Sequence, residues 1–170
     1  VLRESTKVLR YRRDVLIVEH RLGFVMANAG IDMSNVEQDD DGGTALLLPK
    51  DPDGSCEVLR QDLARTAAGR IGVVINDSHG RAWRNGTVGV AIGAAGLLAL
   101  HDRRGDPDLF GRPLLITEVG AADEIAAAAS LLMGQADEGA PVVLVRGLRH
   151  VGERGRARDL IRPPEKDLFR

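Results

Sequence analysis

The sequence predicts an α+β fold with mixed β-sheets and packed helices. Apolar, strand-like runs and helical periodicities are interspersed without strict alternation, and two of the runs, 15–18 and 23–26, are close enough to pair as a hairpin. Composition adds a constraint: aromatic residues are 3% of a chain that is 44% apolar, so the core must be built from Val, Leu, Ile and Ala. The 170 residues are read as a single domain, long enough to bury most of its extended surface without a disulfide or structural metal.

In chain order, residues 1–13 place Val8, Leu9 and Tyr11 among basic residues and predict the end of an amphipathic helix. The hairpin at 15–26 follows, then loop-like sequence over 27–43, rich in Asn, Asp, Ser and Gly. Residues 44–48 are expected to form a third strand stopped by Pro49. The run Asp51-Pro52-Asp53-Gly54-Ser55 predicts a turn whose Ser55 caps a helix with Val58, Leu59, Leu63 and Ala67 on one face, ending near Gly69. Residues 71–75 read as a strand buried on both faces, its end carrying the polar cluster 76–81. Further strands are expected at 87–92, 114–117 and 141–145. The clearest helix spans 121–136, Ala-rich with Asp123 and Glu124 near its positive end. Pro163 and Pro164 stop regular structure in a tail, 146–170, that carries eight basic and four acidic residues. This tail and the acidic run Glu37-Gln38-Asp39-Asp40-Asp41 read as solvated segments.

Several function classes are excluded. A net charge of −2 supplies no global basic field for nucleic acid. No apolar run approaches the roughly 20 residues a membrane helix needs. The single cysteine, Cys56, rules out an intramolecular disulfide and fits a reducing compartment, with cytoplasm the expected location. Its place at a helix start, with no partner in view, marks it as buried or incidental. There is no P-loop, dinucleotide fingerprint, nucleophile elbow or zinc-protease motif.

Three polar islands remain, each at the end of an apolar element: residues 28–35, residues 76–81 continuing to Gly86, and residues 133–139. In the second, Asp77 and Ser78 offer a carboxylate and a hydroxyl of the kind Mg2+ or Mn2+ takes as ligands. Asp32 could add a second carboxylate. Arg81 and Arg84 suit phosphate oxygens, and Gly30 and Gly80 leave room for an anion to approach the backbone. Asp and Ser after a strand are equally common as turn and capping residues. His79 reads as an exposed loop histidine rather than a general base, and Trp83 as packing a hydrophobic edge.

The islands carry a resemblance. Ala29-Gly30-Ile31-Asp32-Met33-Ser34-Asn35 resembles an AGxDxSN signature, and the segment 74–86 resembles a strand followed by SDTxGRxWRxG. Thr117-Glu118 with Ala122-Asp123-Glu124-Ile125-Ala126, then Met133-Gly134-Gln135-Ala136, the strand-like run 143–147 and the ending Asp167-Leu168-Phe169-Arg170, are similar to the same family in order and spacing. That family is the coenzyme F-420-0:L-glutamate ligases, or gamma-glutamyl ligases. The resemblance covers nearly the whole sequence and corresponds to the C-terminal two-thirds of the family's ligase domain. Its N-terminal portion, with further nucleotide-contacting residues, has no counterpart here, and His79 replaces the Thr or Phe common in the family.

The resemblance implies a GTP-dependent ligation of L-glutamate to the lactyl carboxylate of a deazaflavin coenzyme precursor, through an acyl phosphate. It implies Asp32, Asp77, Ser78 and Gln135 as metal ligands, for two divalent ions, Mg2+ or Mn2+, with K+ as a further candidate. Asn35 and the segment Met133, Gly134, Gln135, Ala136, Asp137, Glu138, Gly139 and Ala140 would contact GTP. Asp32 and Asp77 would be catalytic through their metals, with Arg81 added on chemical grounds. A homodimer is expected, with no nucleic-acid or membrane partner. The alternative is a non-catalytic domain that holds metal or deazaflavin without turnover.

Overall fold

Residues expected to end a helix instead begin the first sheet. Ser5–Arg12 forms β1 and pairs antiparallel with β2, Val15–His20, with Val8 opposite Val18 and Arg12 opposite Val15. Two facts favour the strand over a helix. Thr6, Val8 and Tyr11 favour extended backbone, and Asp14 accepts the left-handed conformation (φ 65°) that a tight turn requires. The expected hairpin is present one step later, where β2 pairs with β3, Val25–Ala27. The sheet order is β1-β2-β3. The computed structural model describes residues 1–38, 43–149 and 151–168. Asp39, Asp40 and Asp41 of the acidic run, and Phe169 and Arg170 of the tail motif, lie outside the described residues.

The third strand expected at 44–48 reduces to one bridge, Leu46 opposite Asp32, with Leu46 and Leu47 exposed. Helix α1 spans Pro52–Ala64 and is capped by Asp51, not Ser55: the Asp51 carboxylate accepts from the Gly54 amide at 3.0 Å, and Pro52 takes the first helical turn. The helix stops before Gly69. Its buried residues are Pro52, Asp53 and Cys56, while Val58, Leu59 and Leu63 are about half exposed, so the expected apolar face is not the one that packs.

The central hairpin joins β4, Val73–Arg81, to β5, Arg84–Ala95. Residues 71–75 are half-buried rather than enclosed on both sides, and the polar cluster 76–81 lies within β4, not beyond it. Trp83 occupies the hairpin turn at φ 65° and is 89% exposed, so it packs no hydrophobic edge. Strands at 114–117 and 141–145 are absent; Leu115, Ile116, Val142 and Leu144 are exposed. A short pair forms instead between β6, His101–Asp102, and β7, Glu118–Val119. Apolar runs of this length form strands only where an edge is available to receive their hydrogen bonds. Helix α2 spans Ala121–Met133, slightly shorter than expected, and the tail contributes 3-10 turns at Ala157–Leu160 and Pro164–Lys166.

The core is small-residue packing around β5: Ala91, Ala94, Leu97, Ala99, Ala122, Ala126 and Ala157, with Val74, Ile125 and Leu160 against them. Both helices lie on this strand, and two glycines let them close in. A Cβ on Gly89 would sit 2.5 Å from the Ala126 carbonyl oxygen of α2, and one on Gly93 would sit 2.5 Å from the Pro52 carbonyl oxygen of α1. The helices also satisfy the strand's outer amides. Ser130 Oγ accepts from Gly89 N (3.3 Å), Asp123 Oδ1 from Ala91 N (2.9 Å) and Asp53 Oδ1 from Ala94 N (2.9 Å). An edge that would otherwise be open is closed by side chains. Among the described residues no helix is long and apolar enough to cross a membrane. The architecture is α+β with mixed antiparallel sheets.

Candidate functional site

The first island leaves β3 through a 3-10 turn, Asn28–Gly30, with Asn28 and Ala29 both at positive φ. Asp32 then bridges to Leu46 through its backbone (3.1 and 2.8 Å). Its carboxylate accepts the Ser34 hydroxyl and the Ser34 amide, the latter at 2.8 Å. These hydrogen bonds, the hydroxyl's first, hold the Asp32 carboxyl below its usual range despite partial desolvation, so it stays ionised. Asn35 takes φ 51° and reaches across to a distant segment, its Nδ2 donating to the Ala136 carbonyl at 2.9 Å.

The second island lies on β4, where successive side chains face opposite sides. Ser78 turns towards the end of α2, its hydroxyl donating to Gln135 Oε1 at 2.5 Å. Asp77 turns towards His79, with 3.4 Å between Asp77 Oδ2 and His79 Nε2. His79 is buried, not a loop histidine on the surface. Gly80 faces open space, whereas Gly30 is closely covered by Met26 and Leu48 and offers an anion little room.

The third island begins where α2 ends at Met133 and Gly134 (φ 75°) turns the chain. Glu138 folds back so that its carboxylate accepts from the Ala136 amide at 2.8 Å. This amide, with those of Glu138 and Gln135, holds the Glu138 carboxyl below its ordinary value. Asp137, Glu138 and Gly139 are exposed and Ala140 is half-buried.

The three islands therefore meet at one place. Asn35 bonds the residue next to Gln135, and Gln135 bonds Ser78. Asp32 and Asp77 stand on the segments so joined, although none of the hydrogen bonds or ion pairs described above links their carboxylates. Among the described residues no three His, Cys, Asp or Glu side chains converge as a metal cluster. The oxygens in contact are the Ser78 hydroxyl and the Gln135 amide oxygen; Asp32 adds a carboxylate on a joined segment and Asp77 projects from the other face of β4 towards His79, and all four are hard oxygens of the kind Mg2+ and Mn2+ take. Arg81 stands apart at the hairpin tip, exposed, with its guanidinium donating to the Asn85 carbonyl (3.3 Å); Arg84 faces it across the turn and is also exposed.

Two groups escaped the sequence reading. Asp123, assigned there only to the helix dipole, is half-buried, and burial pushes its carboxyl up. It lines a cavity of about 240 Å3 together with His79, Phe24, Val90 and Arg162. The strand alternation of Asp77 and His79, had the strand been extended past Ile75, would have placed His79 on the inner face. Cys56 is buried as expected, and burial pushes its thiol up to about 11.

Residues 1–147 match the protein family described as F420-0:Gamma-glutamyl ligase. Along its whole length the chain is similar to three curated proteins, each named Coenzyme F420:L-glutamate ligase. It is 46% identical to that of Methanocaldococcus jannaschii, 49% to that of Methanothermobacter thermautotrophicus and 48% to that of Methanopyrus kandleri. It spans 66%, 67% and 68% of their respective lengths. With one family matched over most of its residues and identities of this order along its whole length, the chain belongs to the F420-0:gamma-glutamyl ligase family.

Proposed function

We propose that this chain supplies metal- and nucleotide-binding parts of an enzyme that ligates L-glutamate to the lactyl carboxylate of a deazaflavin coenzyme F-420 precursor, at the expense of GTP. The observation that supports it is the junction of three remote segments through Asn35–Ala136 and Ser78–Gln135. In this reading the precursor's carboxylate oxygen attacks the γ-phosphorus of GTP, giving an acyl phosphate and GDP. The glutamate amine then attacks the acyl carbon, an amide bond forms, phosphate leaves and the amine loses a proton.

Asp32, Asp77, Ser78 and Gln135 would hold Mg2+ or Mn2+, two ions in all. When bound, the ions would neutralise charge on the phosphate oxygens that crowd an acid about to be phosphorylated. The protein's own part is alignment. Asn35 fixes the turn after α2, and the segment 133–140 presents backbone amides to the nucleotide. The Glu138 carboxylate accepts from the Ala136 amide, which supports reading these amides as able to face an anion. Arg81, at the hairpin tip, would reach the phosphates only from the rim. A cytoplasmic homodimer completes the proposal, following the resemblance.

The test is release of GDP and phosphate by the complete polypeptide with GTP, Mn2+, L-glutamate and the deazaflavin precursor. Release should require all four components and be lost in Asp77→Asn with folding intact. Mn2+ binding without any release would favour the non-catalytic alternative.

A further inference from the structure

We infer that His79 is a positioning residue that fixes the orientation of the Asp77 carboxylate for cation binding; this rests on the metal-binding reading of Asp77. The two residues are second neighbours on β4 and project to the same face. His79 is only 8% exposed, and its Nε2 has no hydrogen-bond partner among the described residues. That nitrogen nonetheless lies 3.4 Å from Asp77 Oδ2. A buried N–H without an acceptor is unfavourable, and a small turn of the Asp77 side chain brings its oxygen into hydrogen-bond range. Phe24 packs against the imidazole edge to face, with centroids 6.1 Å apart at 74°. Two other carboxylates line the cavity, Asp123 and Asp167, and Asp123 already accepts from the Ala91 amide. Asp77 keeps about a third of its side chain exposed, so one side of the carboxylate is tied from within while the group stays reachable from outside. A partner of this kind selects one rotamer for the ligand and withholds the others.

The experiment is calorimetric titration of Mn2+ into the complete polypeptide, with thermal unfolding of each metal-free variant as the control for folding. His79→Phe keeps a ring against Phe24 but removes the donor, and it should weaken Mn2+ binding by about 10- to 100-fold, the range for loss of such a partner. His79→Gln, which retains an N–H donor, should recover most of the affinity. His79→Leu serves in place of the Phe variant if that one does not fold. A donor-less variant that binds Mn2+ as tightly as the wild type overturns the inference and leaves the metal-binding reading standing. Equal weakening by the Phe and Gln variants also overturns it, because shape rather than the N–H would then be at work. A wild type that does not bind Mn2+, or Asp77→Asn that binds it undiminished, overturns the metal-binding reading and this inference with it.

Discussion

Asp53 offers the sharpest test of how the site's scaffold is held. Its Oδ1 accepts from two buried backbone amides, Ala94 on β5 at 2.9 Å and Ala157 in the tail at 2.8 Å. Its Oδ2 accepts from Arg158 Nε at 3.2 Å. One carboxylate thus joins α1, β5 and the tail turn whose following residues wall the His79 cavity. Asp53→Ala orphans two N–H groups belonging to residues that are 1% and 0% exposed. At about 1–3 kcal/mol per orphaned buried donor, the loss should be roughly 2–6 kcal/mol. The Arg158 pair adds little, because that side chain is 59% exposed. Asp53→Asn keeps an acceptor oxygen and should lose only about 1–2 kcal/mol, the difference between a charged and a neutral acceptor. Urea unfolding followed by circular dichroism measures both. If Asp53→Ala unfolds within about 0.5 kcal/mol of the wild type, the size of an ordinary surface substitution, the carboxylate does not join these elements and the reasoning fails.

Three further outcomes follow from named contacts. Asn35→Gly removes the bond to Ala136 while permitting φ 51°; Asn35→Ala removes it and adds about 1 kcal/mol or more of left-handed strain. The KM for GTP should rise in both while unfolding stability falls mainly in the Ala variant, and unchanged KM values would remove Asn35 from the site. His20 is buried, and desolvation, aided by Arg21 and opposed by Glu4, holds its pKa below the ordinary 6.5. The unfolded chain therefore binds the extra proton, so this contribution to stability is complete above 6.5 and is lost as pH falls below it; a His20→Gln variant with the same acid-side slope would contradict this. Cys56, fully buried with its thiol pushed up to about 11, should react with a thiol reagent at neutral pH only when the protein is unfolded, which a native-against-urea comparison of labelling rates checks.

What was legible in the sequence was whatever local pattern decides. The 15–26 hairpin, the strand at 87–92 and helix α2 are where expected, since alternation and alanine-rich periodicity specify them without help from distant residues. The failures are positions where a partner decides. Residues 44–48 and 141–145 have strand composition but meet no continuous edge, and 5–12 became a strand because 15–20 was there to receive it. The Gly and Ala residues of β5 carry much of the core, because small residues allow two helices to touch one strand. His79 is illegible for a related reason: the apolar run ends at Ile75, and nothing local marks alternate residues beyond it as inward-facing.

The candidate site follows from this packing more closely than from the islands' own sequences. Asp123 at one end of α2 and Ser130 near the other both accept from β5 amides, so the helix is fixed along its length against the strand that pairs with β4. Gln135 leaves the last turn of that helix, and Ser78 lies on β4 opposite Gly89, the residue whose amide Ser130 receives. Ser78 is thereby placed by rigid elements, while Gln135 stands two residues past the helix end, beyond the turn at Gly134, and receives the Ser78 hydroxyl there. Asn35 arrives on a loop held by the Asp32–Leu46 bridge, the Asp32–Ser34 bonds and the Gln38 side-chain amide, which donates to the Met33, Val36 and Thr44 carbonyls. The position of Asn35 thus depends on hydrogen bonds within one loop and across to Ala136 rather than on an element packed against β5.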